Sequence, residues 1–481
     1  MLTTFVILYL VLSVGIGLWA ARRVHSSGDY ITAGRSLPIY IVTAMVFATW
    51  FGAETVLGIP ATFQEENLGG LISDPFGAAI CLILFGIFFA RKLYRLNLLT
   101  IGDFYRRRYD RRVEVITGIA IALSYLGWVS AQITALGVVF SVLSEGAITQ
   151  GQGIMIGAAV VFIYTVVGGM WSVAMTTFFQ MIVIVLGLLF ISYLVSDLTG
   201  GVMPVVEHAA QADKFHFWPE LSMVAWVAFI SAFLTMAFGS IPQQDVFQRA
   251  NASKSARVAM WGTVLGGVLY LLFTAVPLYL TYSANLVDPA LVMKLMLAED
   301  PESILPAMIK EHLPLIAQVI FYGSLLAVIM STASGTLLAP SVTLAENVLK
   351  GWLVKDLTDR EMLRLTRLVV AVFAMAVTLY ALWAQENETG IHAMVEAAYK
   401  VTLVVAFAPL VFGLYWKRAS TFGAYVAIGA GLLVWIPLEL VMPDAEVSPH
   451  FWGFLAAMAG MVVGSLMRPA QPVPEALAEA S

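Results

Sequence analysis

The stretch ATWFGAETVLGIP, residues 48–60, interrupts an apolar segment that is long enough to cross a lipid bilayer. Gly52, Gly58 and Pro60 break the helical pattern, and Glu54 lies at the break itself, with no basic residue near it in sequence. A carboxylate within a span costs about 2.5 to 3.5 kcal/mol on insertion scales and usually marks a pathway, a partner or a water-filled cavity. The stretch therefore predicts a functional polar site at a broken membrane helix.

The composition around this stretch is that of an all-α membrane protein. Of the 481 residues, 60% are hydrophobic and only 12% are charged, and the mean hydropathy is +0.86. Such a chain is too apolar for a surface that faces water, so lipid must be its main solvent. One cysteine, Cys81, lies in an apolar run, which excludes a disulfide framework or a cysteine-based metal site within one chain.

Apolar stretches of spanning length predict thirteen transmembrane helices. They fall at about residues 4–21, 37–63, 75–92, 113–143, 151–168, 174–197, 223–248, 256–283, 314–348, 365–385, 390–416, 420–441 and 451–468. Lys and Arg cluster in every second connection, which by the positive-inside rule predicts an inner-membrane protein with its N-terminus outside and its C-terminus in the cytoplasm.

These spans predict a single transmembrane domain over residues 1–468. Residues 469–481 are polar, small and proline-containing, which predicts a disordered cytoplasmic tail. We expect no enzyme, because the histidines mostly lie in connections and show neither metal-site nor catalytic-triad spacing. They are His25, His208, His216, His312, His392 and His450.

A second interrupted helix lies in the seventh span, where Gly239 and Pro242 precede Asp245. Spans two to six, about residues 37–197, and spans seven to eleven, about residues 223–416, would then form two inverted five-helix repeats. Broken first helices in two such repeats indicate a transporter whose solute binds at unwound backbone near the midplane. Gly and Pro also merely permit close packing in membrane helices, so this pattern alone leaves both interpretations open.

Three further ionisable residues lie within spans. Glu396 and Lys400 are spaced i, i+4, and we favour the interpretation that they pair along one helix face. Asp245 precedes the basic Arg249, so an interfacial salt bridge is at least as good an interpretation as a ligand role.

The ninth span carries a cluster of hydroxyl groups in the stretch MSTASGTLLAPS, residues 330–341. Its members are Ser331, Thr332, Ser334 and Thr336. Sodium prefers several oxygen ligands, which in lipid come from hydroxyls and freed carbonyls. The alternative is that small residues let helices approach while the hydroxyls bond to their own backbone, and composition does not separate the two.

Three stretches resemble the sodium:solute symporter family: YTVVGGMWSVAMTTFFQ (164–180), GSIPQQDVFQRANASKSAR (239–257) and LAVIMSTASGTLLA (326–339). ATWFGAE, FFARK, WVSAQITALG and IPQQDVFQR are most similar to its choline-transporter branch. The resemblance implies a leucine-transporter-type fold with alternating access. It also implies a co-transported sodium ion between the second and ninth spans, held by positions matching Ala48, Phe51, Val328, Ser331 and Thr332.

The resemblance also bears on stoichiometry and solute. Thr177 and Gly335 replace ligands of a second sodium in some relatives, so we expect one sodium per cycle. In the choline branch an aromatic cage binds the quaternary ammonium through cation–π attraction. Trp50 and Trp128 match two cage positions, whereas Ala78 and Gln243 replace the tyrosine and tryptophan of two others.

Half a cage should bind trimethylammonium poorly, whereas Glu54 could hydrogen-bond a primary or secondary ammonium. We therefore expect a symporter for a small amine-bearing solute, such as an amino acid, a polyamine or a choline-like compound, that is bound by Trp50, Glu54, Trp128 and Gln243. Its expected partners are this solute, sodium and the bilayer, without nucleic acid or an obligate protein partner. The alternatives are a transporter-like solute sensor and a proton-coupled or passive carrier of the same solutes.

Overall fold

The computed structural model describes residues 2–144, 146–350, 357–387 and 390–468. Throughout this part the chain is helical, and its only β-type pairing is an isolated bridge between Leu37 and Ser253. The tail predicted over 469–481 lies outside the described residues.

Thirteen helical segments correspond to the thirteen predicted spans. They are α1 (Leu2–Ala21), α2 (Ile39–Trp50 and Glu54–Glu65), α3 (Leu68–Arg95), α4 (Arg111–Leu143), α5 and α6 (the parts of Gln150–Leu198 before and after a break at Gly169), α7 (Met223–Gly239 and Gln244–Asn251), α8 (Ala256–Val287), α9 (Leu315–Leu349), α10 (Asp359–Glu386), α11 (Ile391–Thr402, continuing through Leu403–Phe407 to Ala408–Tyr415), α12 (Thr421–Val441) and α13 (Pro449–Leu466).

By length and apolar composition, 9 helices of the described residues can cross a membrane, and up to 11 if each bent pair is one span. Two shorter apolar helices, Val11–Ala21 and Gln150–Ile163, fall in α1 and α5. The predicted all-α membrane architecture is thus confirmed, and the thirteen predicted transmembrane helices correspond to segments of which 9 to 11 can cross a membrane; α3 begins earlier, at Leu68, than the predicted residue 75.

Both predicted breaks are present. The halves of α2 meet at 56°, and Phe51 leaves the helical conformation with φ −85° and ψ 74°. The halves of α7 meet at 43°, and Pro242 lies between them. Proline removes a backbone donor and a bend frees carbonyls, so both breaks supply polar backbone groups inside an apolar protein.

The residues around both breaks, 44–60 in α2 and 239–251 in α7, are buried. In α4 the apolar window is 72% buried and in α9 67%, whereas in α12 it is only 22% buried, as expected of a helix that faces lipid. α4 packs against α9 and α11, and α2 packs against α8 and α9. The break in α2 therefore faces α4, α9 and α11 in the protein interior.

Short helices lie in the connections. Ser27–Thr32 and Gly102–Arg108 are in connections predicted to be cytoplasmic, and Val202–Gln211 is between α6 and α7. The connection between α8 and α9 folds into Pro289–Leu297, Pro301–Ser303 and Ile304–His312.

The connection between α8 and α9 contacts the start of α11. The backbone N–H of Ile391 donates a 2.7 Å hydrogen bond to Glu302, which fixes the two segments to each other. Burial, and secondarily the neighbouring Asp300 and Glu65, raise the pKa of Glu302 to about 7.

Candidate ion and solute site

Oxygen atoms of α2 and α9 converge beside the break in α2. The Ser331 hydroxyl oxygen lies 2.8 Å from the carbonyl oxygens of both Ala48 and Val328. The Thr332 hydroxyl oxygen lies 3.3 Å from the Ala48 carbonyl and 2.9 Å from the Thr49 carbonyl. All of these residues are buried. Four of the five predicted sodium ligands are thus brought together, and the fifth, Phe51, is at the break one turn after Ala48.

This donor set has the chemistry that sodium requires. Carbonyl and hydroxyl oxygens are hard, neutral ligands, and a break in one helix facing an unbroken helix is how membrane transporters present them. Buried hydroxyls without hydrogen-bond partners, those of Thr49 and Thr177, lie on α2 and on α6. The residues present therefore fit a sodium ion.

Gly335, one turn after Ser331, faces a positive charge. A Cβ at Gly335 would collide with the guanidinium of Arg249. A cation already occupies the space beside this position, which accords with the expectation of a single sodium ion.

The Glu54 carboxylate is bound by two neutral donors of α4. Trp128 Nε1 donates to Oε1 at 3.1 Å, and Gln132 Nε2 donates to Oε2 at 2.6 Å. Gln132 also accepts from the backbone N–H of Ala53 at 2.9 Å, so one amide fixes both the carboxylate and the broken backbone. Glu54 is 2% exposed, and within the described ranges no Lys, Arg or His forms an ion pair with it.

Three aromatic rings lie together next to this carboxylate. The Trp50 and Trp128 centroids are 5.5 Å apart, and Tyr399 of α11 completes the cluster at 6.0 Å from Trp50 and 5.7 Å from Trp128. Trp50 Nε1 and the Tyr399 hydroxyl are buried without hydrogen-bond partners. The third ring is therefore supplied by Tyr399, which the sequence did not indicate because membrane helices commonly carry tyrosine.

Gln243, which replaces a cage tryptophan, is bound to its neighbours. Its amide nitrogen lies 3.0 Å from the Ser124 hydroxyl and 3.4 Å from the Thr402 hydroxyl. Ser124 precedes Trp128 by one turn of α4, and Thr402 follows Tyr399 by about one turn of α11. Gln243 thus lies one turn from the aromatic cluster and connects α7 to α4 and α11. Ala78, the other replacement, is buried in α3.

Asp245 and Arg249 form an ion pair at 3.4 Å, and both residues are almost completely buried. Tyr125 donates a short hydrogen bond to the Asp245 carboxylate. The salt bridge considered as one interpretation is therefore present, and both of its side chains are buried in the protein. Asp245 already has a cationic partner, unlike Glu54.

Lys400 does not follow the expected pairing with Glu396. It forms an ion pair at 3.6 Å with Glu439 of α12, whose other carboxylate oxygen accepts from Trp435 at 2.9 Å. The i, i+4 interpretation was wrong because α12, distant in sequence from Glu396, offers Lys400 another carboxylate.

His312, for which the sequence showed no metal-site spacing, lies beside Asp288 and Glu311 in a mostly exposed group.

A family model described as the sodium:solute symporter family matches residues 30–431. The chain belongs to the sodium:solute symporter family. It is 25% identical over 451 residues to the human high affinity choline transporter 1, an alignment that covers 89% of this chain and 75% of that protein. It is 25% identical over 479 residues to the osmoregulated proline transporter OpuE of Bacillus subtilis, with 96% and 94% coverage.

The fold is also that of a solved symporter. A Na+-coupled sialic acid symporter in a substrate-bound, outward-open state superposes with a TM-score of 0.82 at 19% identity, over 98% of this chain and 99% of that chain. The leucine-transporter-type fold with two inverted repeats is thereby confirmed. The chain is a multi-pass membrane transporter of a sodium-coupled family, with sodium as the co-transported ion.

Proposed function

We propose that this symporter imports a small amine-bearing solute together with sodium across the cell membrane. The observation that carries the proposal is the state of Glu54, a buried carboxylate at the break of α2 that is held by neutral donors and has no cationic partner among the described residues. A buried carboxylate of this kind favours a cationic ligand, and an ammonium forms a charge-assisted hydrogen bond with it.

The aromatic cluster supports the same solute class. Trp50, Trp128 and Tyr399 pack together beside Glu54, and ring faces attract cations. The relatives named for choline and proline both transport solutes that carry a cationic nitrogen, which fits this proposal.

Sodium is proposed to act at Ala48, Phe51, Val328, Ser331 and Thr332. Bound there, it would join unbroken α9 to broken α2 and favour the state that accepts solute, and its departure would release the solute. This is a population shift by differential affinity and involves no chemical reaction. From the distribution of Lys and Arg we propose the N-terminus outside and the C-terminus in the cytoplasm.

Uptake of labelled amines, amino acids and carboxylates into proteoliposomes, with and without a sodium gradient, tests this function. We expect sodium-dependent uptake of amine-bearing solutes that is lost in Glu54→Gln. Uptake of carboxylates that lack an amine, or uptake driven by pH and independent of sodium, would refute the proposal. A thermal-shift screen of the same compounds identifies the solutes to test first, since ligands stabilise the native state.

A further inference from the structure

A second buried carboxylate lies in α3. Asp74 interrupts this helix with the extended conformation φ −138° and ψ 121°, and it is 1% exposed. Tyr270 of α8 donates a short hydrogen bond to its Oδ1. Like Glu54, Asp74 is held by a neutral donor, and no cationic side chain of the described residues forms an ion pair with it.

Asp74 belongs to the same interior region as Glu54. The Tyr270 hydroxyl that contacts Asp74 also lies 3.4 Å from the hydroxyl of Thr55, the residue that follows Glu54. The unpartnered Tyr399 hydroxyl lies within electrostatic reach of both carboxylates. Glu54 and Asp74 also lie within electrostatic reach of each other. Two carboxylates therefore lie near the aromatic cluster, together with buried polar atoms that have no partner.

The charged partners of these two residues differ from those of Asp245, another buried acidic residue of the protein. Asp245 is compensated by Arg249 at 3.4 Å, whereas Glu54 and Asp74 have only neutral donors. Buried charges are costly without a partner, and two neighbouring ionised carboxylates repel each other, so cations between them favour the charged forms. A ligand with one positive charge compensates one of them and leaves the other unpaired. A ligand with two cationic nitrogens compensates both.

Acidic residues also connect the region to the connection between α8 and α9. Glu302 lies within electrostatic reach of Glu65, and Glu65 within reach of Glu66. Glu396 lies within reach of both Glu66 and Asp74. Lys214, which donates to the carbonyls of Gln64 and Glu66, partly offsets the negative charge of this series. The predominantly negative charge of this series attracts cations and raises their local concentration.

We propose that Asp74 is a second solute-binding residue and that the solute is a diamine, with one ammonium on Glu54 and the other on Asp74. The carbon chain between the two ammonium groups would lie against the rings of Trp50 and Tyr399. This inference rests on the proposed function and narrows its solute class.

The test compares α,ω-diamines of increasing chain length with monoamines of the same length, in binding and sodium-driven uptake by the full-length protein. Wild-type protein should bind the best diamine about 10- to 100-fold more tightly than its monoamine counterpart, the range expected for one hydrogen bond to a charged group. Asp74→Asn should reduce this ratio to about one. Asp74→Glu should retain the preference and shift it to a shorter diamine.

Two control variants test whether the effect belongs to the Asp74 carboxylate. Tyr270→Phe keeps this carboxylate and should retain the diamine preference. Asp197→Asn, at an exposed position of α6, should behave as wild type. Equal affinity of wild-type protein for diamines and monoamines would overturn the inference, and this comparison remains decisive even if Asp74→Asn fails to fold. Reduced sodium affinity in Asp74→Asn, with the diamine ratio unchanged, would also overturn it by assigning Asp74 to an ion.

The two proposals fail in different ways. If no amine shows sodium-dependent binding or uptake, the proposed function itself is wrong. If monoamines are transported with sodium but diamines have no advantage, only the role of Asp74 is wrong.

Discussion

Gln132 contacts Glu54 and the broken backbone of α2 at the same time: its amide nitrogen lies 2.6 Å from Glu54 Oε2, and its amide oxygen accepts from Ala53 N–H at 2.9 Å. Gln132 thus joins α4 both to the Glu54 carboxylate and to the backbone at the break. The orientation of the proposed ammonium-binding carboxylate therefore depends on a neutral residue one turn beyond Trp128.

Replacing Gln132 with leucine, which has a similar volume, should weaken solute binding by about tenfold. The substitution leaves a buried carboxylate oxygen and the Ala53 N–H unpaired, at a cost of about 1 to 3 kcal/mol for each group. Isothermal titration with a transported amine measures the effect. The matched variant is Trp128→Phe, which removes the other hydrogen bond to Glu54 but keeps a ring. Equal affinity of Gln132→Leu and wild-type protein would show that Glu54 is not positioned by this amide.

The double variant Ser331→Ala, Thr332→Val should raise the sodium concentration needed for half-maximal uptake by about tenfold or more, because two hydroxyl ligands are lost. Sodium should also raise the apparent Tm of the wild type, and this rise should be reduced in the double variant. Ser334→Ala is the matched control, since the Ser334 hydroxyl lies 3.2 Å from the Ser331 carbonyl within its own helix. An unchanged sodium response in the double variant would place the ion elsewhere.

Gly52→Ala should impair solute binding more than sodium binding. A Cβ at this position would collide with the Glu54 carboxylate. That carboxylate cannot move freely, because Trp128 and Gln132 hold it. Overpacking of this kind costs typically about 1 to 3 kcal/mol. Solute and sodium affinities are measured on the same preparation, with Gly15→Ala as control because nothing lies within 4 Å of the added methyl group. Wild-type solute affinity in Gly52→Ala would contradict this geometry.

Stability should fall as the pH rises from about 4.5 to about 7, the interval between the ordinary and the raised pKa of Glu302. Within it the folded protein retains a proton on Glu302 that the unfolded chain has released, so higher pH favours unfolding. Glu302→Gln should flatten this part of the profile of apparent Tm against pH, whereas Glu207→Gln, at an exposed position, should not. An identical slope in Glu302→Gln would exclude Glu302 as its source.

The sequence predicted the spans and the breaks well because each depends on local composition. Gly52, Pro60 and Pro242 identify interrupted helices without knowledge of their neighbours, and alternating basic connections support the count. The roles of Tyr399 and Gln132 were not predicted, because they arise only when α11 and α4 pack against the break. Asp74 was not predicted to lie in a span, because the third span was predicted to begin at about residue 75, whereas α3 begins at Leu68.

The partner of Lys400 was predicted wrongly for the same reason, because contacts between helices are not visible in local sequence. Spacing along one helix offered Glu396 as a partner, but a residue of α12 supplied the ion pair instead. Local spacing identifies what can interact within a helix and carries no information on competitors from other helices. The proposed sodium ligands come from the resemblance, since the motifs that carry them are short and contiguous.

The break in α2 places Ala48 and Glu54 on opposite sides of one 56° bend. To the proposed ion, α2 offers main-chain carbonyls, and these atoms are identical in every amino acid. To the proposed solute, it offers the side chains of Trp50 and Glu54. Point substitutions in α2 can therefore change the cargo of such a transporter while the ion ligands that α2 supplies are inherited unchanged.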